Sequence, residues 1–205
     1  MKGKRLFVRD AKMLIEPVIL AAGYGIRLQS IVSDVPKPLA DVNGRPFITY
    51  LFDQLIDAGF KTVVICIGHL SEKFPEILGK RCYGRLSAST GLPYIDLVYS
   101  YEREPMGPGA TLKNAFPLIK SEYVLVLNGD TLVNINLNEY IQEFLVSRKV
   151  LSVVFSGDKN AGMYIIPSRF IANLNIEEPF HVYQAKGFLD IGTPETYKLA
   201  QELLK

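Results

Sequence analysis

Two glycines and two basic residues near the start of the chain have the types and spacing needed to bind a polyphosphate. A short apolar run leads into Leu-Ala-Ala-Gly-Tyr-Gly-Ile-Arg-Leu, which contains Gly23, Gly25 and Arg27. Glycines let the backbone turn sharply and leave its N–H groups unshielded, so that successive N–H groups can form a concave anion site. Arg27 can bind a phosphate through two parallel hydrogen bonds, and Lys37, which stands between two prolines, adds a compact positive charge. This pattern predicts a phosphate-binding turn directly after the first strand.

Two other phosphate-binding motifs fit the same stretch less well. A dinucleotide fingerprint requires a third glycine three residues after the second, where this chain has Leu28. It also requires an acidic residue at the end of the second strand, whereas the apolar run over residues 63–67 continues into Gly68. A P-loop requires Gly-Lys-Ser/Thr after four spacer residues, and no segment has that pattern. The glycines alone also fit an ordinary strand-to-helix turn with Arg27 in solvent, but Lys37 between its prolines favours the phosphate site.

One aspartate stands where it could bind a metal ion beside that turn, and a second has no evident structural role. Asp130 follows an apolar run within Asn-Gly-Asp, and an acid at a strand end near a polyphosphate suits Mg²⁺. Asn-Gly-Asp is also good turn chemistry, so an ordinary turn or cap remains the alternative for Asp130. Asp190 precedes Thr193 and Pro194, which can cap and begin a helix, so capping does not explain Asp190. For either residue, the alternative is a buried aspartate bonded to backbone amides.

These residues are spaced along a chain in which strand and helix patterns alternate. Strands are expected near residues 17–21, 62–67, 95–100, 123–127, 151–155 and 161–166, and helices near 47–56, 112–116, 137–148 and 194–204. Such alternation predicts an α/β fold, a parallel sheet with helices on both faces. Ligands of such sheets bind beyond the carboxyl ends of the strands. The phosphate turn, the segment 104–109 and the segment 128–130 all follow strands, so we expect them to meet at one edge.

Composition excludes several classes of protein. The chain has 205 residues and a net charge of +2, which is too small to indicate nucleic-acid or membrane binding. Cys66 and Cys82 lack metal-ligand spacing and are expected to be reduced thiols, and two distant histidines argue against zinc. We expect residues 1–12 to be an appendage and residues 13–205 to form a single domain. The basic N-terminus is followed by an apolar stretch that Glu16 and Pro17 interrupt, which argues against a signal peptide, and a cytoplasmic location is expected.

Several motifs, in order along the chain, resemble those of the sugar-1-phosphate nucleotidyltransferases. Within that family the chain is most similar to heptose- and mannose-1-phosphate guanylyltransferases. The motifs are LAAGYGIRLQSIVSDVPKPLADVNGRP (20–46), EPMGPGA (104–110), NGD (128–130), NAGMY (160–164) and FLDIGTPE (188–195). The resemblance covers nearly the whole chain from about residue 17. It implies a Rossmann-like, GT-A-like fold with a mixed, mostly parallel sheet.

The resemblance also implies a reaction and a set of site residues. The reaction is the Mg²⁺-dependent transfer of a nucleotidyl group, with GTP as the favoured donor, to a sugar 1-phosphate. The implied catalytic residues are Arg27 and Lys37, and the implied magnesium ligands are Asp130 and Asp190. The implied nucleotide-binding residues are Leu20, Ala21, Ala22, Gly23, Gly25, Arg27, Glu104, Gly107, Gly109 and Asn128. The implied sugar-phosphate-binding residues are Gly129, Asn160 and Gly162, although residues 107–109 also suit a loop entering a helix and Asn160 a strand start.

The chain departs from the family pattern most clearly on the acceptor side. Asp130 and Asn160 are only 30 residues apart, so a hairpin and a Glu-Lys pair that family members carry between them are missing. A second segment, between Pro179 and His181, also lacks a helix that covers the sugar pocket in the family. The acceptor part is therefore expected to be trimmed, and a homo-oligomer could cover the exposed surface. A nucleotide-binding module that has lost acceptor binding remains the alternative function.

Overall fold

The computed structural model describes residues 14–84, 93–104, 106–171 and 179–205. The strands are β1 (Ile15–Leu20), β2 (Asp41–Val42), β3 (Arg45–Pro46), β4 (Thr62–Ile67), β5 (Arg81–Tyr83), β6 (Tyr94–Tyr101), β7 (Tyr123–Asn128), β8 (Thr131–Val133), β9 (Ser152–Ser156), β10 (Lys159–Pro167), β11 (His181–Gln184) and β12 (Phe188–Asp190). The α-helices are α1 (Ile48–Asp57), α2 (Lys73–Leu78), α3 (Pro108–Ala115), α4 (Leu137–Ser147) and α5 (Pro194–Leu203).

Eight strands form one mixed sheet in the order β11-β9-β10-β7-β1-β4-β6-β5. The centre is parallel, because β1 pairs in parallel with both β4 and β7, and β4 pairs in parallel with β6. β10 is antiparallel to β7 and β9, and β5 is antiparallel to β6. Two short ladders, β8 with β12 and β2 with β3, lie outside this sheet. The predicted α/β fold with a mixed, mostly parallel sheet is therefore confirmed.

The two faces of the central strands enter two separate apolar clusters, as the alternation of side chains in a strand requires. Ile19 and Ile65 point into the larger cluster, where they meet residues of α1 and α4 such as Leu51 and Phe144. Val18 and Val64 point into the smaller cluster, which α3 covers through side chains that include Leu112. Helices thus cover both faces, and this is why the central strands are mostly apolar.

The long elements follow the sequence expectations to within a few residues, and the differences have local causes. The fourth helix ends at Ser147 because Arg148 takes a left-handed conformation with φ 55°. The helix predicted near 112–116 begins earlier, at Pro108, since Gly107 with φ 83° turns the chain into it. α2, β5, β8, β11 and β12 were not predicted, and each is at most six residues long. The predicted appendage 1–12 lies outside the described residues, so the division into domains remains a prediction.

The acceptor side is short, in line with the spacing of its motifs. β9 and β10 are joined by only Gly157 and Asp158, with Gly157 at φ 62°, and no further hairpin intervenes. After the segment 172–178, which is outside the described residues, Pro179 and Phe180 lead directly into β11. Within the described parts of the chain, no helix is both long and apolar enough to cross a membrane.

Candidate active site

A cleft of about 300 Å³ opens at the carboxyl ends of β1, β6 and β7, where the sequence predicted that three segments meet. β1 contributes the turn that follows it, β6 the start of the next loop, and β7 the Asn-Gly-Asp segment. The residues that line the cleft are Leu20, Ala21, Ala22, Gly23, Gly25, Lys37, Pro38, Glu102, Gly107, Pro108, Thr111, Asn128 and Asp130. The convergence at one edge of the sheet follows from the parallel arrangement of these three strands.

The turn after β1 is held in place by one left-handed glycine and one buried leucine. Gly25 has φ 62° and begins a short 3-10 turn whose last residue, Leu28, is buried and donates its N–H to Gly25 O at 2.9 Å. A side chain on Gly25 would touch Lys37, because a Cβ there would lie 3.0 Å from Lys37 Cβ. Glycine is therefore required both by the backbone conformation and by this close contact. The turn thus packs directly on the root of the Lys37 side chain.

Lys37 forms an ion pair with Asp130 at the centre of the cleft. Its ammonium nitrogen contacts Asp130 Oδ2, and the two side chains are 14% and 22% exposed. The other oxygen, Asp130 Oδ1, accepts a hydrogen bond of 3.0 Å from Thr131 Oγ1. A 3-10 turn over Lys37–Leu39, flanked by Pro36, fixes the backbone from which the lysine projects. Both oxygens of the Asp130 carboxylate therefore have a partner.

Asp190 is brought beside Asp130 by the short ladder between β8 and β12. In this ladder Asp190 pairs with Thr131, and Ile191 N donates to Asp130 O at 3.0 Å. Asp190 Oδ1 accepts a hydrogen bond of 2.5 Å from the N–H of Gly192. Thr193 and Thr196 then form a capping box that begins α5, so the Asp190 loop is fixed on both sides. The ladder therefore brings the backbones of the two aspartates together, although only Asp130 lines the cleft.

Arg27 lies on the same side of the cleft but is exposed. Its Nη2 would be 3.0 Å from a Cβ placed on Gly192, so the guanidinium lies against the loop that carries Asp190. Among the described residues, no acid lies within ion-pair distance of Arg27. Its guanidinium also makes no hydrogen bond to any residue in the described ranges, so that its five N–H donors could bind a ligand. A cation in this position can bind the oxygens of a phosphate group that is held at the turn.

Glu102 is the cleft residue that the sequence interpretation missed. It is 7% exposed, its Oε2 accepts a hydrogen bond of 2.8 Å from Thr111 Oγ1, and its Oε1 is buried with no partner among the described residues. Its N–H donates to Ile67 O at 2.9 Å, which continues the pairing of β6 with β4 by one residue. Burial, and then the charge of Glu102, raise the pKa of the Cys66 thiol to about 12. The position of Glu102 directly after a predicted strand, like that of Asp130, is the signal that could have identified it.

Most residues predicted to bind the nucleotide line the cleft, but three, Arg27, Glu104 and Gly109, do not. The sequence interpretation favoured Glu104, whose side chain is exposed and does not line the cleft, where the structure has Glu102 instead. The difference arises because β6 and its pairing extend to residue 102, so that Glu104 lies farther out in the loop. Gly109 lies within α3 and is not part of the lining, whereas Gly107, at the N-terminus of that helix, is.

The residues predicted to bind the sugar phosphate adjoin the cleft through Asn128. Gly129 N donates to Leu20 O at 2.8 Å, and a Cβ on Gly129 would lie 2.9 Å from that same oxygen. Gly162, with φ 70°, packs against the side chain of Asn128. Asn160 Oδ1 accepts hydrogen bonds from Gly162 N at 2.8 Å and from Tyr164 OH at 3.1 Å. The start of β10 therefore abuts the end of β7.

The donor set fits a magnesium ion that is shared with phosphate groups. Asp130 lines the cleft, Asp190 lies next to it in the chain pairing of β8 and β12, and no group of three or more acidic, histidine or cysteine side chains in the described residues could hold a metal. Mg²⁺ prefers six oxygen ligands and is usually bound by one or two carboxylates together with phosphates and water. Two carboxylates beside a phosphate-binding turn match that requirement.

Comparison with known proteins relates this site to one family. The chain matches the Nucleotidyl transferase family over residues 16–164. It is 27% identical to the D-glycero-alpha-D-manno-heptose 1-phosphate guanylyltransferase of Aneurinibacillus thermoaerophilus, with 93% of this chain and 99% of that protein covered. It is 34% identical to the protein of the same name from Campylobacter jejuni, where the match covers 61% of this chain and about half, 52%, of the relative.

Solved structures show the same fold. HddC from Yersinia pseudotuberculosis, complexed with GMP-PN, superposes with a TM-score of 0.74 at 24% identity and covers 93% of this chain and 99% of its own. UDP-glucose pyrophosphorylase from Acinetobacter baumanii gives a TM-score of 0.74 at 15% identity, with 92% of each chain covered. The family match extends over more than half of the chain and includes the turn after β1, Lys37, Glu102 and Asp130. The chain belongs to the nucleotidyl transferase family of enzymes.

Proposed function

We propose that this enzyme transfers a guanylyl group from GTP to a sugar 1-phosphate of the heptose or mannose type. A phosphate oxygen of the sugar 1-phosphate forms a bond to the α-phosphorus of GTP, the bond from that phosphorus to the bridging oxygen breaks, and pyrophosphate leaves. The names of the two heptose 1-phosphate guanylyltransferase relatives support the guanylyl group and the heptose acceptor. A mannose-1-phosphate guanylyltransferase subunit, 27% identical over 61% of this chain, supports the wider acceptor class.

The single observation that carries the choice of guanine is the carboxylate of Glu102. It faces the cleft from the end of β6, and its Oε1 is buried without a partner among the described residues. A carboxylate only accepts hydrogen bonds, and a buried acceptor without a donor is costly. Guanine presents two adjacent donors, its N1–H and its 2-amino group, and a carboxylate can accept both. The equivalent edges of adenine, cytosine and uracil include an acceptor that would face the carboxylate, so Glu102 favours guanine over them.

The cations around the turn are proposed to hold the triphosphate. Arg27 and the N–H groups near Gly23 and Gly25 would bind its outer oxygens, and Lys37 would bridge the two phosphates that react. Phosphoryl and nucleotidyl transfer need in-line positioning and neutralisation of charge more than covalent help from the protein. The attacking oxygen is already an anion, so no general base is assigned.

Asp130 and Asp190 are proposed to hold Mg²⁺. When bound, the ion would neutralise charge on the phosphate oxygens. The ladder of β8 and β12 joins the backbones of the two residues, and this pairing would determine the position of the ion. Gly192 N–H and Thr131 Oγ1 each bind one carboxylate oxygen and so fix the orientation of the pair.

We also infer that the reaction takes place in the cytoplasm. Cys66 and Cys82 are both free thiols in the structure, and a reducing compartment suits such residues.

The short turn between β9 and β10 favours a second candidate function. Only Gly157 and Asp158 lie between these strands, so no further hairpin extends from the proposed acceptor side at this point. Under this alternative the chain binds a nucleotide but transfers nothing, and acts as a regulatory module. Measuring pyrophosphate release distinguishes the two functions, because only the transferase releases it when a sugar 1-phosphate is added.

The decisive experiment combines a substrate panel with one variant. Pyrophosphate release is measured with GTP, ATP, CTP and UTP, each with heptose, mannose and glucose 1-phosphates. We expect release with GTP and a heptose or mannose 1-phosphate. Glu102→Gln should lower kcat/KM for GTP about ten- to a hundredfold, since hydrogen bonds to a charged group contribute about 1.5–3 kcal/mol.

Glu104→Gln is the matched control, because Glu104 is exposed only two residues away and does not line the cleft. It should leave the kcat/KM for GTP within about twofold of the parent value. Nucleotide binding without pyrophosphate release for any acceptor would instead support the regulatory module. Equal effects of Glu102→Gln on all four nucleotides would show that Glu102 does not select the base.

A further inference from the structure

The ion pair between Lys37 and Asp130 occupies the oxygen that a metal ion would need. Lys37 Nζ contacts Asp130 Oδ2, while Thr131 Oγ1 donates to Oδ1 of the same carboxylate at 3.0 Å. Both side chains of the pair are largely shielded from water, at 14% and 22% exposed. A shielded ion pair is weakened less by salt and water than one on the surface. A metal ion can therefore bind Asp130 Oδ2 only if Lys37 moves.

Asp190 differs from Asp130 in this respect. Its Oδ1 accepts a hydrogen bond from Gly192 N–H, and within the described parts of the chain no cation pairs with the carboxylate. Lys37 therefore covers one of the two carboxylates and leaves the other open. The position of the Lys37 side chain therefore determines whether both carboxylates can bind the same metal ion.

The ammonium group of Lys37 can move while the backbone of the residue stays in place. Its backbone is fixed in the 3-10 turn Lys37–Leu39, and its Cβ is packed against Gly25 of the phosphate turn. A lysine ammonium is a compact charge on a flexible four-carbon stem. The ammonium can thus swing from Asp130 toward phosphate oxygens bound at the turn, while the root of the side chain stays in place.

We propose, on the basis of the proposed function, that Lys37 prevents Asp130 from binding a divalent cation until a nucleoside triphosphate is present. In the nucleotide-free protein the ammonium neutralises Asp130 and repels a second cation at the same carboxylate. When a triphosphate binds at the turn, its oxygens compete with Asp130 for Lys37 and release the carboxylate. The metal site is therefore completed by the nucleotide, and the ion enters together with the triphosphate.

The test measures metal binding directly, with manganese(II) as the probe and no nucleotide present. Free and bound Mn²⁺ are distinguished by electron paramagnetic resonance in titrations of the parent protein, Lys37→Met and Lys37→Gln. We expect weak binding to the parent and at least about tenfold tighter binding to both variants, because each removes the charge while Met keeps most of the stem. Lys159→Met, which removes an exposed lysine outside the cleft lining, is the matched control and should bind Mn²⁺ like the parent.

Adding Asp130→Asn to Lys37→Met should abolish the gain, because the proposal assigns the gain to the released carboxylate. Thermal unfolding followed by circular dichroism confirms that each variant is folded before its titration. An unchanged Mn²⁺ affinity in both Lys37 variants, with Asp130→Asn still weakening Mn²⁺ binding in the presence of GTP, overturns the proposal and leaves the metal site intact. If Asp130→Asn and Asp190→Asn leave Mn²⁺ binding unchanged even with GTP, the proposed metal site itself is wrong, and the role of Lys37 falls with it.

Discussion

Gly162 lies directly against the side chain of Asn128, so that a Cβ on residue 162 would come within 2.9 Å of Asn128 Cγ. Gly162 also has φ 70°, a left-handed conformation that other residues adopt only with strain. Asn128 lines the cleft, whereas Gly162 belongs to β10, the strand that also contains the predicted sugar-binding residue Asn160. The contact therefore joins the nucleotide side and the acceptor side of the site.

Replacement of Gly162 by alanine should impair both folding and catalysis. The left-handed backbone costs a residue with a side chain about 1–2 kcal/mol, and the new methyl group must also displace Asn128. Gly157→Ala is the matched control, since Gly157 has φ 62° but no atom within 4 Å of its Cβ position. We expect both variants to lose stability in urea unfolding, and only Gly162→Ala to lower kcat/KM for pyrophosphate release. Equal catalytic loss in both variants would contradict a role for the contact with Asn128.

Thr111 should hold the Glu102 carboxylate in place. Thr111→Val removes the donor to Glu102 Oε2 and leaves both oxygens of a buried carboxylate without a partner. The expected loss is about 1–3 kcal/mol in the free energy of unfolding, together with a higher KM for GTP. Thr111→Ser keeps the hydroxyl and should retain the parent KM. A raised KM in the serine variant would show that the methyl group, and not the hydrogen bond, matters.

The side chain of Gln201 should contribute to the attachment of the C-terminal helix α5 to residues 41–43, together with Tyr197, which donates to Asp41 O. Gln201 Oε1 accepts from Asn43 N at 3.0 Å, and its Nε2 donates to Asp41 O at 2.7 Å. Gln201→Ala removes both bonds and should lower the free energy of unfolding by about 1–2 kcal/mol, whereas Glu202→Ala, on an exposed neighbour, should lower it by less than about 0.5 kcal/mol. Chemical denaturation of the two variants measures the difference, and similar losses in both would argue against this attachment.

Alkaline pH should destabilise the protein partly through Cys66. Burial, with a contribution from Glu102, raises the pKa of its thiol from 9.0 to about 12, so the folded state keeps the thiol neutral. Above pH 9 the unfolded chain loses this proton and the folded protein does not, so the free energy of unfolding falls between pH 9 and pH 12. At pH 10.5 the contribution from Cys66 is about 2 kcal/mol.

Comparison with Cys66→Ala isolates that contribution. Burial also raises the pKa of Tyr99 and of Tyr140, but these groups are present in both proteins and their effect cancels. We expect unfolding in urea at pH 8 and pH 10.5 to show a smaller decrease for Cys66→Ala than for the parent. The same decrease in both proteins would show that the Cys66 thiol ionises equally easily in the folded and unfolded states.

Sequence patterns predicted the central sheet and the meeting of three segments at one cleft, for a physical reason. Strands such as β4 and β7 are covered on both faces and must be apolar throughout, which makes them recognisable without any tertiary information. The carboxyl-end rule then places the segments that follow them at one edge, and Asp130 and Gly107 lie there. The prediction that these segments meet at one edge was confirmed, because it depends only on the direction of the strands.

The parts that were missed depend on pairing between distant segments. β8 and β12 have three residues each, too few to show a period, yet their ladder is what places Asp190 beside Asp130. Glu104 was predicted because it belongs to the motif EPMGPGA, whereas Glu102 reaches the cleft because its hydrogen bond to Ile67 O extends the pairing of β6 with β4 to residue 102. The ion pair between Lys37 and Asp130 likewise joins residues whose separation in the chain carries no periodic signal.

The two-residue connection of Gly157 and Asp158 is a position at which a longer segment could be inserted beside the proposed acceptor site. Both residues are exposed, and the strands that they join are anchored elsewhere, β10 by β7 and β9 by β11. Exposed tight turns of this kind are where chains best tolerate insertions. A longer segment inserted at this position could change which sugar phosphates bind, while the nucleotide side of the cleft stays unchanged. The protein could therefore serve as a scaffold for engineering the synthesis of new nucleotide sugars.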